Sequence, residues 1–382
     1  TRRADPLARS LPVLRLAGEP RALGMGHGRA AAPMIENNLR IYFGRFADEA
    51  LLSRDEVLRR AQRYWPQMQI DSPEFAAMVE GIAAGADRPL LEIVALNLRY
   101  EFFYAEFSRI GKADLGGVPA PAGDCTAFAV LPAASADGHL WIGQNWDWIP
   151  DVAGLLLHVT RPDGLRVLTF TEAGIAGGKI GLNSAGVGLV VNGLLSNEDD
   201  WSRLGRPFHR RTWDALCSPT LDGAMHAVTD GARSCSANFL VGKADPDGSG
   251  AAVDIETAPG DFCTHTPVAG TLAHANHFLD PGRLGIWQPI VEDKRSTYHR
   301  CAQMERRLAG AAAGGPLAPG ALREILRDHD GHPDSICRHS NPALPASESY
   351  ETVVSVVMDL HGGRMHAAPG PPCECPYEEF TV

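Results

Sequence analysis

Cys125 stands where a Gly/Pro-rich stretch meets a strand-patterned one, and that position lets one residue supply two catalytic parts. The preceding residues 111–124, Gly-Lys-Ala-Asp-Leu-Gly-Gly-Val-Pro-Ala-Pro-Ala-Gly-Asp, hold four Gly and two Pro among small side chains, which predicts a flexible, exposed linker. A thiol at its end can attack the carbonyl of Asp124. The peptide bond is exchanged for a thioester, and water then separates the two chains. The freed Cys125 carries a nucleophilic sulfur and an α-amine of ordinary pKa about 7.7–8.0. That amine serves as base to its own thiol, so no separate His is required. On spacing alone, a buried strand cysteine is the commoner finding.

Other residues invite chemistry and fall short. His274 and His277 sit at i and i+3 around a strand end, where their side chains would point to opposite faces. No carboxylate or Cys partner stands out, so both read as hydrogen-bonded structural histidines. Cys373-Glu-Cys375-Pro has ligand types suited to a metal, but no second pair has suitable spacing, so neither a metal site nor a cofactor is expected. Gly174-Ile-Ala-Gly-Gly lacks the Lys-Ser/Thr ending and the strand–helix context of a phosphate loop. Trp141, Trp146 and Trp148 read as core or pocket wall, and a wall near the site would suit an apolar acyl group.

Composition narrows the class. The chain has 382 residues, 45% hydrophobic and 21% charged, as in ordinary globular proteins. Its formal net charge of -11 argues against nucleic acid, which needs a concentrated basic surface. The short cluster of Arg206, Arg210 and Arg211 reads as a solvated face. No apolar run approaches the roughly 20 residues of a membrane helix. Thr-Arg-Arg-Ala-Asp-Pro at the front has no apolar core of a secretory signal, although a first residue other than Met implies that residues have been removed there. Eight Cys in so long a chain read as mostly reduced thiols of a cytoplasmic protein.

The elements that must position Cys125 change character along the chain. Residues 20–110 have helical periodicity, with Leu39, Ile41, Tyr42, Phe46 and Leu51 recurring at helical rather than alternating spacing. Asp71-Ser-Pro-Glu opens a further helix, with Ser72 as the expected capping side chain and Pro73 in the first turn. Another helix is expected over Leu90–Phe107. From Cys125 onward, short strands are bounded by Gly, Asp and Asn, including Cys125–Leu131, His139–Asn145, Leu165–Thr171 and Gly186–Asn192. Helices return at Phe208–Leu216, Leu221–Thr229, Arg295–Ala309 and Gly320–Asp328. Thr352–Leu360 is the last long strand, turning through His361-Gly-Gly. Blocks of strands alternating with blocks of helices predict an α+β fold of two packed sheets flanked by helices.

Five stretches occur in a telling order: Cys125-Thr-Ala-Phe, Gly143-Gln-Asn-Trp-Asp-Trp148, Thr171-Glu-Ala-Gly-Ile, Gly181-Leu-Asn-Ser-Ala-Gly-Val-Gly188 and His274-Ala-Asn-His277. Together with Gly24–Gly28, Asn97-Leu-Arg-Tyr-Glu101 and Ser335-Ile-Cys-Arg338, they make the sequence over about residues 20–360 resemble the acyl-coenzyme A:isopenicillin N acyltransferase family of self-processing Ntn hydrolases. The resemblance implies an Ntn αββα sandwich of two mainly antiparallel sheets. Residues 1–124 would be a helical N-terminal segment ending in the linker 111–124, residues 125–382 the catalytic core, and the cut between Asp124 and Cys125 would leave both chains associated. It implies Cys125 as nucleophile and Asp147 as the acid that holds the new α-amine. Asn276 would donate to the oxyanion, and Asn192 would be a second contributor. A structural Asn or a strand-end Asp bonding backbone is the plain alternative for each.

Two departures bear on processing and substrate. Asp124 precedes Cys125 where relatives often have Gly. In place of a Ser-Arg pair before the last long strand stands Ala346-Ser-Glu-Ser-Tyr-Glu-Thr352, where Ser347 or Ser349 can fill the Ser role and no Arg is present. Trp146, Trp148 and Arg338 are further candidates for substrate contact, and penicillin chemistry is not implied. The expected partner is a small amide or acyl donor, including an acyl thioester, with no nucleic acid or membrane. The Ala-, Gly- and Arg-rich composition suits a high-GC bacterial gene and, by analogy, natural-product metabolism. The competing readings are a non-catalytic binding protein that kept the fold, and a papain-like protease, which would need its Cys on a helix N-terminus.

Overall fold

β3 (Trp141–Trp148) is buried at every residue. A strand with no wet face must lie inside a stack of layers. The computed structural model, which describes residues 10–113, 124–289, 296–344 and 349–382, supplies those layers. One sheet has six strands in the order β11 (Thr271–His274), β2 (Asp124–Val130), β3, β12 (Glu351–Asp359), β13 (Arg364–Ala368) and β14 (Glu378–Thr381). The other has eight: β1 (Val13–Ala17), β4 (Gly154–Thr160), β5 (Arg166–Glu172), β6 (Ile180–Asn183), β7 (Val187–Gly193), β8 (Ala237–Ala244), β9 (Gly250–Thr257) and β10 (Phe262–His265). All pairs are antiparallel except β1 with β4.

The sheets pack face to face. Gly188 and Gly242 pair across β7 and β8, and a Cβ on either would strike Leu360 and Ile142 of the other sheet. Alternation along β2 sorts its side chains. Ala127 and Ala129 join the main core, whereas Phe128 and Val130 join a smaller core with α9 (Ser296–Ala312) and α10 (Pro319–Leu326). α7 (Phe208–Leu216) and α8 (Leu221–Thr229) pack against the eight-stranded sheet. This is the expected αββα arrangement.

The N-terminal segment supplies α1 (Pro20–Ala30), α2 (Ala32–Asp48), α3 (Arg54–Asp71), α4 (Pro73–Ala86), α5 (Leu90–Asn97) and α6 (Arg99–Ala113). The single helix expected over Leu90–Phe107 is broken at Leu98. β1 lies outside the span read as helical. α1 and α4 touch backbone to backbone, because a Cβ on Gly24, Gly28, Gly81 or Gly85 would strike the partner helix's main chain. Ser72 does stand at the N-cap of α4, but its side chain makes no capping bond. It is fully buried, and its Oγ has no hydrogen-bond partner among the described residues.

This helical segment grips the turn after β5. His27 accepts from Gly174 N–H at 3.1 Å, Asn38 donates to Ala173 O at 3.0 Å, and Asn97 donates to Gly174 O at 2.9 Å while accepting from Ala176 N–H. The turn carries Glu172 at one end and Lys179 at the other.

Candidate active site

Cys125 is buried in β2, directly across from Trp146 of β3. β11 ends opposite Ala127, two residues short of Cys125. The main-chain groups left over are taken by side chains. Cys125 N–H donates to Asn276 Oδ1, and Arg300 Nη1 donates to Cys125 O at 2.6 Å. Arg300 also donates to Thr126 Oγ1 at 2.7 Å and to Asn276 Oδ1 at 3.1 Å. Asn276 is fixed in turn. Its main-chain N–H donates to Thr297 Oγ1 at 2.7 Å, and its Nδ2 donates to Gly193 O at 3.1 Å. The strand end of β11, the first turn of α9 and the end of β7 therefore converge on one residue.

Asp147 lies one step along β3 and is the register partner of Asp124, the residue before the predicted nucleophile. It is fully buried, and its Oδ1 accepts from Thr352 Oγ1 at 2.7 Å. Thr352 is held by Arg338, with Thr352 N–H donating to Arg338 O and Arg338 N–H to Thr352 Oγ1, both at 3.1 Å. Arg338 thus reaches the site through its backbone, while its guanidinium is engaged by Asp334 and Ser296.

Beside Cys125 is a cavity of about 20 Å³, room for roughly one water. Its walls are Tyr100, Tyr104, Trp146, Trp148, Phe208 and Val191, with Arg99 and Lys179 as its charges. Three of these residues, Arg99, Tyr100 and Tyr104, come from α6, before the expected cut. Glu172 anchors the charged end. Arg99 grips both of its oxygens, Nε at 2.7 Å and Nη2 at 2.8 Å, and Lys179 Nζ and Tyr42 OH add bonds at 3.0 and 2.9 Å. Burial opposes ionisation of Glu172, but Arg99 and Lys179 outweigh it and hold the pKa at about 2. With Arg99 having first claim on that carboxylate, burial pushes Lys179 down to about 7. Its Nζ also sits 3.3 Å from the centroid of the Trp146 ring.

Asn192 belongs to a neighbouring network rather than to the cavity wall. Its Oδ1 accepts from Asn238 at 3.3 Å, and Asn238 donates to Asp254 at 2.7 Å. Its buried Nδ2 has no hydrogen-bond partner among the described residues. Ser349 accepts from Asn341 N–H at 3.1 Å and lines an open groove of about 500 Å³ with Arg45, Ile149 and Leu344. Tyr350, next in the chain, packs on Trp148 at 6.1 Å, so the groove abuts the aromatic wall. Ser347 and most of the linker 111–124 lie outside the described residues.

His274 and His277 do not diverge as expected. Because β11 stops at His274, the chain turns, and the two rings lie nearly parallel at 6.4 Å. His274 bonds Glu256 Oε1 and Ala275 O, both at 2.8 Å. Burial lowers its pKa, but Asp254 and Glu256 outweigh that and raise it to about 9. Sequence reasoning missed Arg300, Lys179 and the α6 tyrosines as site residues. Arg99, Tyr100 and Glu172 lay within motifs already singled out, whereas Arg300 has no local signal in its helix.

Comparison with known proteins gives the chain a family. The family profile described as acyl-coenzyme A:6-aminopenicillanic acid acyl-transferase matches residues 134–372. The chain is similar to the acyl-coenzyme A:6-aminopenicillanic-acid-acyltransferase 40 kDa form of Emericella nidulans, with 29% identity over 354 residues, 91% of this chain and 89% of the relative. Two solved structures are loosely similar. A conjugated bile acid hydrolase mutant from Clostridium perfringens has TM-score 0.45 and 9% identity, covering 68% of this chain and 92% of its own. A Caenorhabditis elegans N-acylethanolamine-hydrolyzing acid amidase ortholog has TM-score 0.43 and 13% identity, covering 68% and 100%. Neither likeness is close enough to carry an argument. The profile spans more than half of the chain, and the chain belongs to the acyl-coenzyme A:6-aminopenicillanic acid acyl-transferase family.

Proposed function

We propose that the protein cuts itself between Asp124 and Cys125, and that Cys125 then forms an acyl thioester whose acyl group passes to an amine or to water. The observation that carries this reading is the treatment of the Cys125 main chain: its N–H is held by the Asn276 side chain and its carbonyl by Arg300. Any buried main-chain group needs a partner, but here the partners are two polar side chains from separate elements, converging on the one residue whose nitrogen a cut would free. In the cut protein, the nitrogen held by Asn276 becomes the α-amine, with Asp147 as the neighbouring carboxylate.

The steps balance within these residues. The α-amine takes the Cys125 thiol proton, and the thiolate attacks the acyl carbonyl. Asn276 Nδ2, with one hydrogen on Gly193 O, offers the other to the tetrahedral oxyanion. Asn192 stands outside the cavity wall as described, but its buried Nδ2 has no partner among the described residues, and it is the candidate for a second donor. Collapse expels the leaving group, which takes the proton back from the α-ammonium. An incoming amine or water then releases the acyl group and restores the thiol. Trp146, Trp148, Tyr100 and Tyr104 form an apolar wall for the acyl chain. Ser349 marks the groove by which substrate approaches, and the same role falls to Ser347 next to it in sequence. Because α6 supplies part of the wall, the two chains stay associated after the cut.

The family's name and the Emericella relative point to acyl-coenzyme A as donor and an amine as acceptor. A role in bacterial natural-product metabolism fits the composition. The test is intact-mass spectrometry after mixing with acyl-coenzyme A thioesters of graded length. An acyl adduct on the chain that begins at Cys125, cleared faster by added amine than by water, supports transfer. Clearance by water alone supports hydrolysis. Equal turnover by Cys125→Ala contradicts the proposal.

A further inference from the structure

Sequence spacing offers Cys373 no second pair, but the fold brings three ligands to it. His329, Cys337 and His339 lie on the loop after α10, and Cys373 lies between β13 and β14. Nε2 of His339 is 3.3 Å from Cys373 Sγ, 3.7 Å from Cys337 Sγ and 3.2 Å from His329 Nε2. The two sulfurs are 3.5 Å apart, and all four ligand atoms lie within 4.8 Å of one another.

These distances can be compared with a coordination polyhedron. Zn–S bonds of about 2.3 Å and Zn–N bonds of about 2.0 Å give a tetrahedron with edges of about 3.8 Å for S···S, 3.3 Å for N···N and 3.5 Å for S···N. Each edge given above agrees to within about 0.3 Å. A metal-bound His commonly has its other ring nitrogen on a carboxylate. Here Nδ1 of His339 faces Glu374 Oε1 at 3.4 Å.

We propose that His329, Cys337, His339 and Cys373 form a closed, structural Zn²⁺ site. Binding displaces one proton from each thiol to solvent, and the two thiolates neutralise the ion. Four protein ligands leave no open position, so the ion holds structure rather than activating water. What it holds bears on the catalytic strand. Ile336 O accepts from Asn145 Nδ2 of β3 at 2.8 Å, and the Arg338 main chain fixes Thr352, which bonds Asp147. Among the described residues the loop 327–344 has no helix or strand of its own. The ion would pin that loop to the stretch after β13 and so steady the back of the site.

The experiment is metal analysis of the full chain purified without chelator, followed by Co²⁺ exchange. The expected result is about one Zn²⁺ per chain, and for Co²⁺ the intense visible bands of a tetrahedral site with thiolate charge transfer. Cys373→Ser, at an exposed position, should weaken binding by more than about 10-fold in competition with a chromophoric chelator, whereas Cys217→Ser should not. The proposal is overturned if the wild type takes up no Zn²⁺ on reconstitution, if Cys373→Ser binds equally well, or if peptide mapping of unreduced protein finds Cys337 and Cys373 in a disulfide.

Discussion

The main-chain N–H of Cys125 donates to the side-chain oxygen of Asn276, across 151 residues of sequence. The same oxygen accepts from Arg300, and the amide nitrogen of Asn276 is tied to Gly193 O. One side chain therefore sets where the proposed nucleophile's nitrogen and the proposed oxyanion lie relative to each other. Asn276→Ala should lower kcat by about 10²–10³-fold, the usual effect of losing one such donor. Arg300 keeps its bond to Cys125 O, so the fold should survive. Single-turnover acylation beside a thermal melt separates the two effects; unchanged acylation would remove Asn276 from the chemistry.

Lys179 brings a pH dependence. Burial holds its pKa down to about 7 in the folded protein, inside the cavity that Cys125 shares. Its charge is present below that value, beside the thiol, and lost above it. The pH profile of kcat/KM, followed from about pH 5 to 9, should show a limb near 7 that Lys179→Met abolishes. An identical limb in the variant would assign it to another group.

Glu172 should matter for stability before catalysis. It is fully buried and is the shared counter-charge of Arg99 and Lys179. Glu172→Gln would leave two buried cations short of their counter-charge, a change that costs about 3–5 kcal/mol in comparable pairs. A urea midpoint unchanged from the wild type would show that water reaches the cluster.

His274 gives stability a pH slope of known sign. Its folded pKa is about 9, against about 6.5 when unfolded. Between those values the folded chain binds the extra proton, so this contribution is complete below about pH 6.5 and is lost as pH rises through about 9. Lys179 acts oppositely, since its unfolded form holds the extra proton between about 7 and 10.5. The reading is therefore the difference between wild type and His274→Gln. Their unfolding free energies should converge as pH rises, and a constant gap would mean that His274 is not charged in the fold.

Much of this architecture was legible from local patterning. Phe208–Leu216 and Leu221–Thr229 form helices with the boundaries their periodicity implies. Strands of the core were found because turn residues fence them. β1, β10 and β14 were not, being four or five residues long and given their place by neighbours. In the site, Asn276 and Asp147 lay in recognisable motifs. Arg300 did not, because a buried Arg in an amphipathic helix has a meaning only when the end of β11 leaves Cys125 O for it to bind. The Cys373 cluster was hidden for the same reason: its ligands are joined by folding, not by spacing.

The most direct measurement of the central claim is N-terminal sequencing with intact-mass analysis of the purified protein and of Cys125→Ala. The wild type should consist of two associated chains, the larger beginning Cys-Thr-Ala-Phe, and Cys125→Ala should remain one chain. A wild type that stays uncut, with acyl transfer or hydrolysis persisting in Cys125→Ala, would contradict the account.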